Sequence, residues 1–190
     1  MPKKVVLLAA LLLAGCQEKP NALQIASAST TGWSIGPIMD GKNYSDSGSI
    51  DGNTITLGEV HYVTRKPDGP LSGTMSLSFH LDAPLKGAKC GNGTASLFFQ
   101  AASDDWNSDG ARWWASTVTL DHAGDYTLTA PLVEGPWTSV LTMTSTSDPI
   151  YFTTAKQNVG QVGFTLGNCE GLGHGAVGPA HLTITDWYVR

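Results

Sequence analysis

The feature that most constrains this chain is a strict two-residue alternation. Met75, Leu77, Phe79 and Leu81 interleave with Ser76, Ser78, His80 and Asp82. That period places all the apolar side chains on one face of an extended strand and all the polar ones on the other, so the segment must lie half-buried in a sheet. The pattern returns at Tyr126, Leu128, Ala130 and Leu132, and again at Val162, Phe164 and Leu166. Segments 54–63, 94–101, 112–120, 137–143 and 181–189, rich in Thr, Val, Trp and Tyr, are further strand candidates. Turn clusters separate them: Pro67-Asp68-Gly69-Pro70, Gly91-Asn92-Gly93, Asn107-Ser108-Asp109-Gly110, Gly124-Asp125, and Gly171 to Pro179. Only 153–158 suggests a helical turn. Eight or more short strands with this punctuation and no internal repeat predict an all-β fold, a two-sheet antiparallel sandwich or jelly roll.

The N-terminus is of a different kind. Lys3 and Lys4 precede the apolar run Val5 to Ala14, which ends in Leu13-Ala14-Gly15-Cys16. At about ten residues the run is half the ~20 needed to span a bilayer, so it is expected to act as an export signal over 1–15. Leu13-Ala14-Gly15-Cys16 resembles the lipobox of bacterial lipoproteins. The resemblance implies cleavage before Cys16, acylation of its thiol and its new amine, and stable membrane anchoring through several acyl chains. Gln17 after the cysteine then implies the outer membrane, if the host is Gram-negative. Residues 16–31, polar and small, are expected to be the lipidated Cys16 and a flexible tether reaching at most about 50 Å. The domain proper is expected over 32–190.

Removing fifteen of the 190 residues leaves 175, enough for one domain with a full core. The loss of Lys3 and Lys4 leaves 9 Lys and Arg against 16 Asp and Glu, a net charge of −7. That balance argues against nucleic acid and anionic lipid head groups as partners. With Cys16 acylated, Cys90 and Cys169 form an even pair. Outside the cytosol such a pair most simply forms a disulfide; two free buried thiols or a redox couple are the other readings, and there is no C-x-x-C for the last.

Two motifs carry possible chemistry. Asp105-Trp106-Asn107-Ser108-Asp109-Gly110 matches the first half of a D-x-[DN]-x-[DN]-G calcium loop, but Ser116 stands where the bidentate Glu belongs. An EF-hand is excluded. A non-EF turn holding a structural Ca2+ through Asp105, Asn107, Asp109 and Asp104 stays open beside a plain hairpin loop, and no cofactor is required. Gly173-His174-Gly175-Ala176-Val177-Gly178 matches G-x-G-x-x-G, yet Pro179 and a strand follow it where a dinucleotide site needs a helix. It reads as a loop that borders a ligand through His174.

Catalytic sets are missing: there is no H-E-x-x-H, G-x-S-x-G or E-x-D-x-E. A carboxylate pair such as Glu59 with Glu134 would be invisible in sequence, so a glycan-active hydrolase stays a minor alternative. The five histidines show no ligand spacing. Aromatic placement is more telling. If Val118 and Leu120 face the core, parity turns Trp114 inward and Trp113 outward. The same parity exposes His80, and turns Phe98 and Gln100 outward if Leu97 and Phe99 face in. Aromatic faces beside amide, imidazole and guanidinium groups suit sugars, so Trp113, Trp106, His80, Gln100, Arg112 and His174 are the candidate ligand contacts. The competing expectation is an adaptor that docks another envelope protein without binding sugar.

Over 32–190 the chain, from Trp33-Ser34-Ile35-Gly36-Pro37-Ile38 to Leu182-Thr183-Ile184-Thr185-Asp186-Trp187-Tyr188-Val189, resembles the galactose-binding-like jelly rolls common among carbohydrate-binding modules. The resemblance implies sugar binding and a first and last strand that pair. The chain is also similar to bacterial proteins with a Val-Gly-Phe-Thr-Leu-Gly strand ahead of a Gly-His-Gly loop, here 162–167 and 173–175, a likeness that implies no activity.

Overall fold

The structure, a computed structural model, describes residues 32–35, 46–104, 109–140 and 143–190. The signal, Cys16 and the tether lie outside the described residues, as do Asp105, Trp106 and Asn107 and the side chain of Asp109. In chain order the strands are β1 (Trp33–Ile35), β2 (Gly48–Asp51), β3 (Thr54–Val60), β4 (Tyr62–Arg65), β5 (Thr74–Leu81), β6 (Lys86–Gly87), β7 (Thr94–Ala101), β8 (Arg112–Thr119), β9 (Gly124–Pro131), β10 (Thr138–Ser139), β11 (Val159–Gly167) and β12 (Ala176–Val189). Among the described residues one α-helix, α1 (Pro149–Gln157), precedes β11. It is longer than the expected turn, because Pro149 pre-sets its first turn and Phe152 and Ala155 bury one face.

The strands form the expected two antiparallel sheets. Sheet A runs β1-β4-β11-β7-β8-β10; sheet B runs β2-β3-β12-β5-β9, with β6 also on β12. The chain crosses from B to A at His61, the single residue between β3 and β4. The alternating residues of both sheets face each other across one core, where Ile55, Val63, Leu77, Phe79, Leu97, Phe99, Phe164 and Leu182 are all buried. A second aromatic cluster, Tyr62, Phe98 and Trp114, covers the outer face of sheet A under Leu172 and Val140. Phe98 thus points outward as parity demands, yet is fully buried by these segments.

Among the described residues the first and last strands do not pair: β1 lies on β4 in sheet A and β12 in sheet B. They meet instead through their side chains, Trp33 edge-on to Trp187 with ring centroids 5.1 Å apart. The pairing implied by the jelly-roll resemblance is therefore replaced by a contact across the open end of the sandwich. Cys90 and Cys169 form a disulfide with Cα atoms 5.7 Å apart, closing 79 residues. It ties the loop before β7 to the loop after β11 at the other end of the molecule, where Gly167 pairs with Thr94.

Candidate functional site

Two β-bulges decide which tryptophans reach solvent. Between Ala95↔Val118 and Leu97↔Ala115, β7 advances two residues while β8 advances three. Ser116, with φ of 55°, belongs to this irregularity. The extra residue inverts the parity read back from Val118. Trp113 consequently faces the core, has no exposed surface, and sets its ring edge-on against Phe152 at 5.2 Å. Trp114 takes the outer face, covered in the aromatic cluster. Trp137 is also fully buried, its Nε1–H donating to Pro131 O. The outward placement expected for Trp113 is thus corrected, and the cause is a local insertion that alternation alone does not reveal.

The second bulge lies in β12. Ile184 pairs with Phe79 and Asp186 with Ser78, so β12 gains one residue on β5 at Thr185. Past it, Trp187 pairs with Leu77, whose side chain is buried, and turns toward the gap between the sheets. Trp33, opposite Arg65 in β1–β4, closes the gap from sheet A. Its indole lies on the backbone of Gly163, where a Cβ would come within 3.0 Å of Cζ3; the missing side chain makes the seat. Val63 is buried, so Arg65, two residues on, faces the same way at the mouth. Its guanidinium stands 5.8 Å over the Trp33 ring.

Here a cavity of about 320 Å³ opens, lined by Arg65, Lys66, Asp68, Val162, Trp187 and Tyr188 among others. Its volume is near the lower end of the ~300–1,000 Å³ typical of small-molecule sites. The 67–70 turn forms one wall, and Leu71 N–H donating to Lys156 O anchors that turn to α1. Trp187 and Tyr188 are half-buried, while Lys66 and Asp68 are exposed. Arg190, outside the lining, sets its guanidinium 4.2 Å over the ring of the lining residue Tyr188. The arrangement offers an indole wall, cationic donors and one carboxylate acceptor.

The other expected contacts are dispersed. Gln100, Arg112 and Asp104 do come together on the outer face of sheet A: Gln100 Nε2 donates to Asp104 Oδ2 at 2.8 Å, and Arg112 Nε lies 3.0 Å from the same oxygen. Asp104 is fully enclosed and Arg112 nearly so, which makes the trio a buried brace. His80 lies on the outer face of sheet B, exposed, against Asp125 at 2.7 Å. His174 lies at the disulfide end, 3.6 Å from Glu170. Glu59 and Glu134 are not brought together: Glu59 pairs with Val177 at the start of β12, and Glu134 follows Pro131, which pairs with Thr74 at the cavity end.

The Gly-His-Gly loop is a packing device. A Cβ on Gly173 would lie 2.6 Å from the Tyr62 hydroxyl, and one on Gly175, whose φ is 86°, 2.7 Å from His61 Nε2. The loop backbone therefore closes directly over the buried His61, whose Nδ1 is 2.5 Å from the equally buried Asp46. Sequence reasoning missed this clamp, since 15 residues separate the pair. It also missed the cavity, in which the 67–70 turn and Trp187 stand more than 110 residues apart in sequence. Among the described residues no three His, Cys, Asp or Glu side chains converge as a metal would require.

Comparison with known proteins returns no match: no family model, curated protein or solved structure is similar to this chain.

Proposed function

We propose that this protein is a lipid-anchored envelope lipoprotein whose β-sandwich binds a carbohydrate in the cavity at the Trp187 end. The observation that carries the reading is the half-buried indole of Trp187 beside Arg65, Lys66 and Asp68 in a cavity of about 320 Å³. A sugar presents an apolar ring face to an aromatic wall and hydroxyls to charged neighbours. Trp33, opposite Arg65, begins the described domain at this same end. With Cys16 acylated, the cavity end is therefore the end nearest the anchor, within about 50 Å of the bilayer. A structural Ca2+ held by Asp105, Asn107 and Asp109 with Asp104 is a separate proposal that removal by EDTA tests through the melting temperature.

The experiment is a glycan array followed by titration calorimetry. Trp187→Ala is expected to weaken the best saccharide at least ten-fold, about 1.4 kcal/mol, while His80→Ala on the outer face of sheet B changes nothing. An array without binders, or a Trp187→Ala protein that binds as the parent does, overturns the reading. The adaptor alternative draws on one observation, the exposed pair Ile150 and Tyr151 on α1. It gains the field if Ile150→Asp with Tyr151→Asp abolishes capture of an envelope protein while no glycan binds.

A further inference from the structure

We propose that the saccharide held at this end carries an anionic group, a carboxylate, sulfate or phosphate, gripped by Arg65 and Lys66 with Arg190 at the margin. This rests on the carbohydrate reading of the cavity. Its own support is the distribution of partners among the cations. Lys89 pairs with Glu170 at 3.0 Å and Arg112 with Asp104 at 3.0 Å. Lys86 donates to Asn92 Oδ1 and Lys156 to Leu132 O. Among the described residues, Arg65, Lys66 and Arg190 are the Lys and Arg side chains with neither a carboxylate nor a hydrogen-bond acceptor. All three are at the cavity end. In a chain that carries 9 Lys and Arg against 16 Asp and Glu after Gly15, cations left without acceptors in one place point to a ligand that supplies them.

The two arginines are also held ready. The Arg65 guanidinium lies over the Trp33 ring at 5.8 Å and that of Arg190 over the Tyr188 ring at 4.2 Å. An aromatic ring attracts a guanidinium without consuming its N–H donors, which can still receive an oxyanion through paired hydrogen bonds. Asp68 also lines the cavity, yet it pairs with neither cation. It is left to accept from sugar hydroxyls.

The test titrates the purified protein with a panel of three acidic oligosaccharides, a uronate, a sulfated and a phosphorylated one, each alongside its neutral parent. An acidic member is expected to bind at least ten-fold tighter than its parent, and to lose that advantage as salt is raised. Arg65→Ala with Lys66→Ala should bring the acidic ligand down to the neutral one, and Arg65→Lys should recover only part of the difference. Trp187→Ala should weaken both ligands. Melting temperatures and far-UV spectra of each variant establish that it is folded. Equal binding of acidic and neutral members, unmoved by the Arg65 and Lys66 changes but lost with Trp187→Ala, overturns the anionic inference and leaves the carbohydrate reading standing. Absence of all saccharide binding overturns both. Binding to vesicles of anionic phospholipid in place of saccharide, lost with Arg65→Ala and Lys66→Ala, also overturns both and makes this end a membrane-surface patch.

Discussion

Trp113 is the residue at which the bulge at Ser116 has its largest energetic consequence. Trp113→Ala removes an indole with no exposed surface, its edge-on contact with Phe152 at 5.2 Å, and its Nε1–H donation to Gly110 O at 2.9 Å. A buried tryptophan takes about 150–250 Å² out of water, which at ~25 cal/mol per Å² is about 4–6 kcal/mol. Alanine keeps part of that area and the cavity collapses partially, so the expected loss is about 3–5 kcal/mol. Trp113→Phe keeps most of the apolar contact and forfeits the hydrogen bond, for a loss of about 1–2 kcal/mol. Guanidinium unfolding followed by far-UV circular dichroism measures both, with an unchanged slope required for the comparison. A loss below about 1 kcal/mol for Trp113→Ala would place the indole at the surface and refute the inverted parity. The folded fraction of the Trp113→Ala protein should also bind saccharide as the parent does, because the cavity lies elsewhere.

Three further outcomes follow from the geometry. Replacing Cys90 and Cys169 by Ser opens a 79-residue loop and should lower stability by up to about 4 kcal/mol in the chain-entropy model, read as a fall in the denaturation midpoint matched by adding reductant to the parent. Gly175→Ala places a Cβ 2.7 Å from His61 Nε2 at a φ of 86°, a strain of about 1–3 kcal/mol; calorimetric melting should show it, with saccharide affinity unchanged because the loop is at the opposite end. Asp82 accepts the His181 backbone N–H at 2.6 Å and faces the His181 ring at 2.7 Å, and these hold its carboxyl below the ordinary aspartate range. A depressed carboxylate stabilises the fold above its unfolded value, and that contribution disappears as pH falls through the folded one. Carboxyl ¹³C titration should therefore show the Asp82 midpoint rising in His181→Ala but stopping short of the ordinary range, since the backbone bond remains; an unmoved midpoint would contradict the assignment.

Strands were legible where local pattern decides them. The alternation at Met75–Leu81 and the apolar run at Ala95–Ala101 fall inside β5 and β7. β2 escapes the pattern, although Gly52-Asn53 is a hairpin signal and forms the two-residue turn across which Asp51 pairs with Thr54. Its short polar strand simply lacks a buried face, with three of four residues exposed. The even cysteine count pointed to the disulfide that is present. Orientation was less accessible, because one inserted residue flips every side chain beyond it. Ser116 reverses Trp113 in this way, and the bulge at Thr185 turns Trp187 to the cavity. Neither Ser nor Thr advertises a bulge as a strand glycine would. The cavity was illegible for a different reason. Pro67-Asp68-Gly69-Pro70 reads as a turn and Trp187 as part of a closing strand, and only the packing of β4 against β12 across the two sheets makes them neighbours.

The most direct test of the account is a two-dimensional ¹H–¹⁵N spectrum of the six tryptophan indoles recorded while the tightest-binding saccharide is added. The account predicts that the Trp187 resonance, and Trp33 against it, shift saturably, while those of Trp113, Trp114 and Trp137 stay in place. Shifts confined to other indoles, or to the His80 face of sheet B, would contradict it.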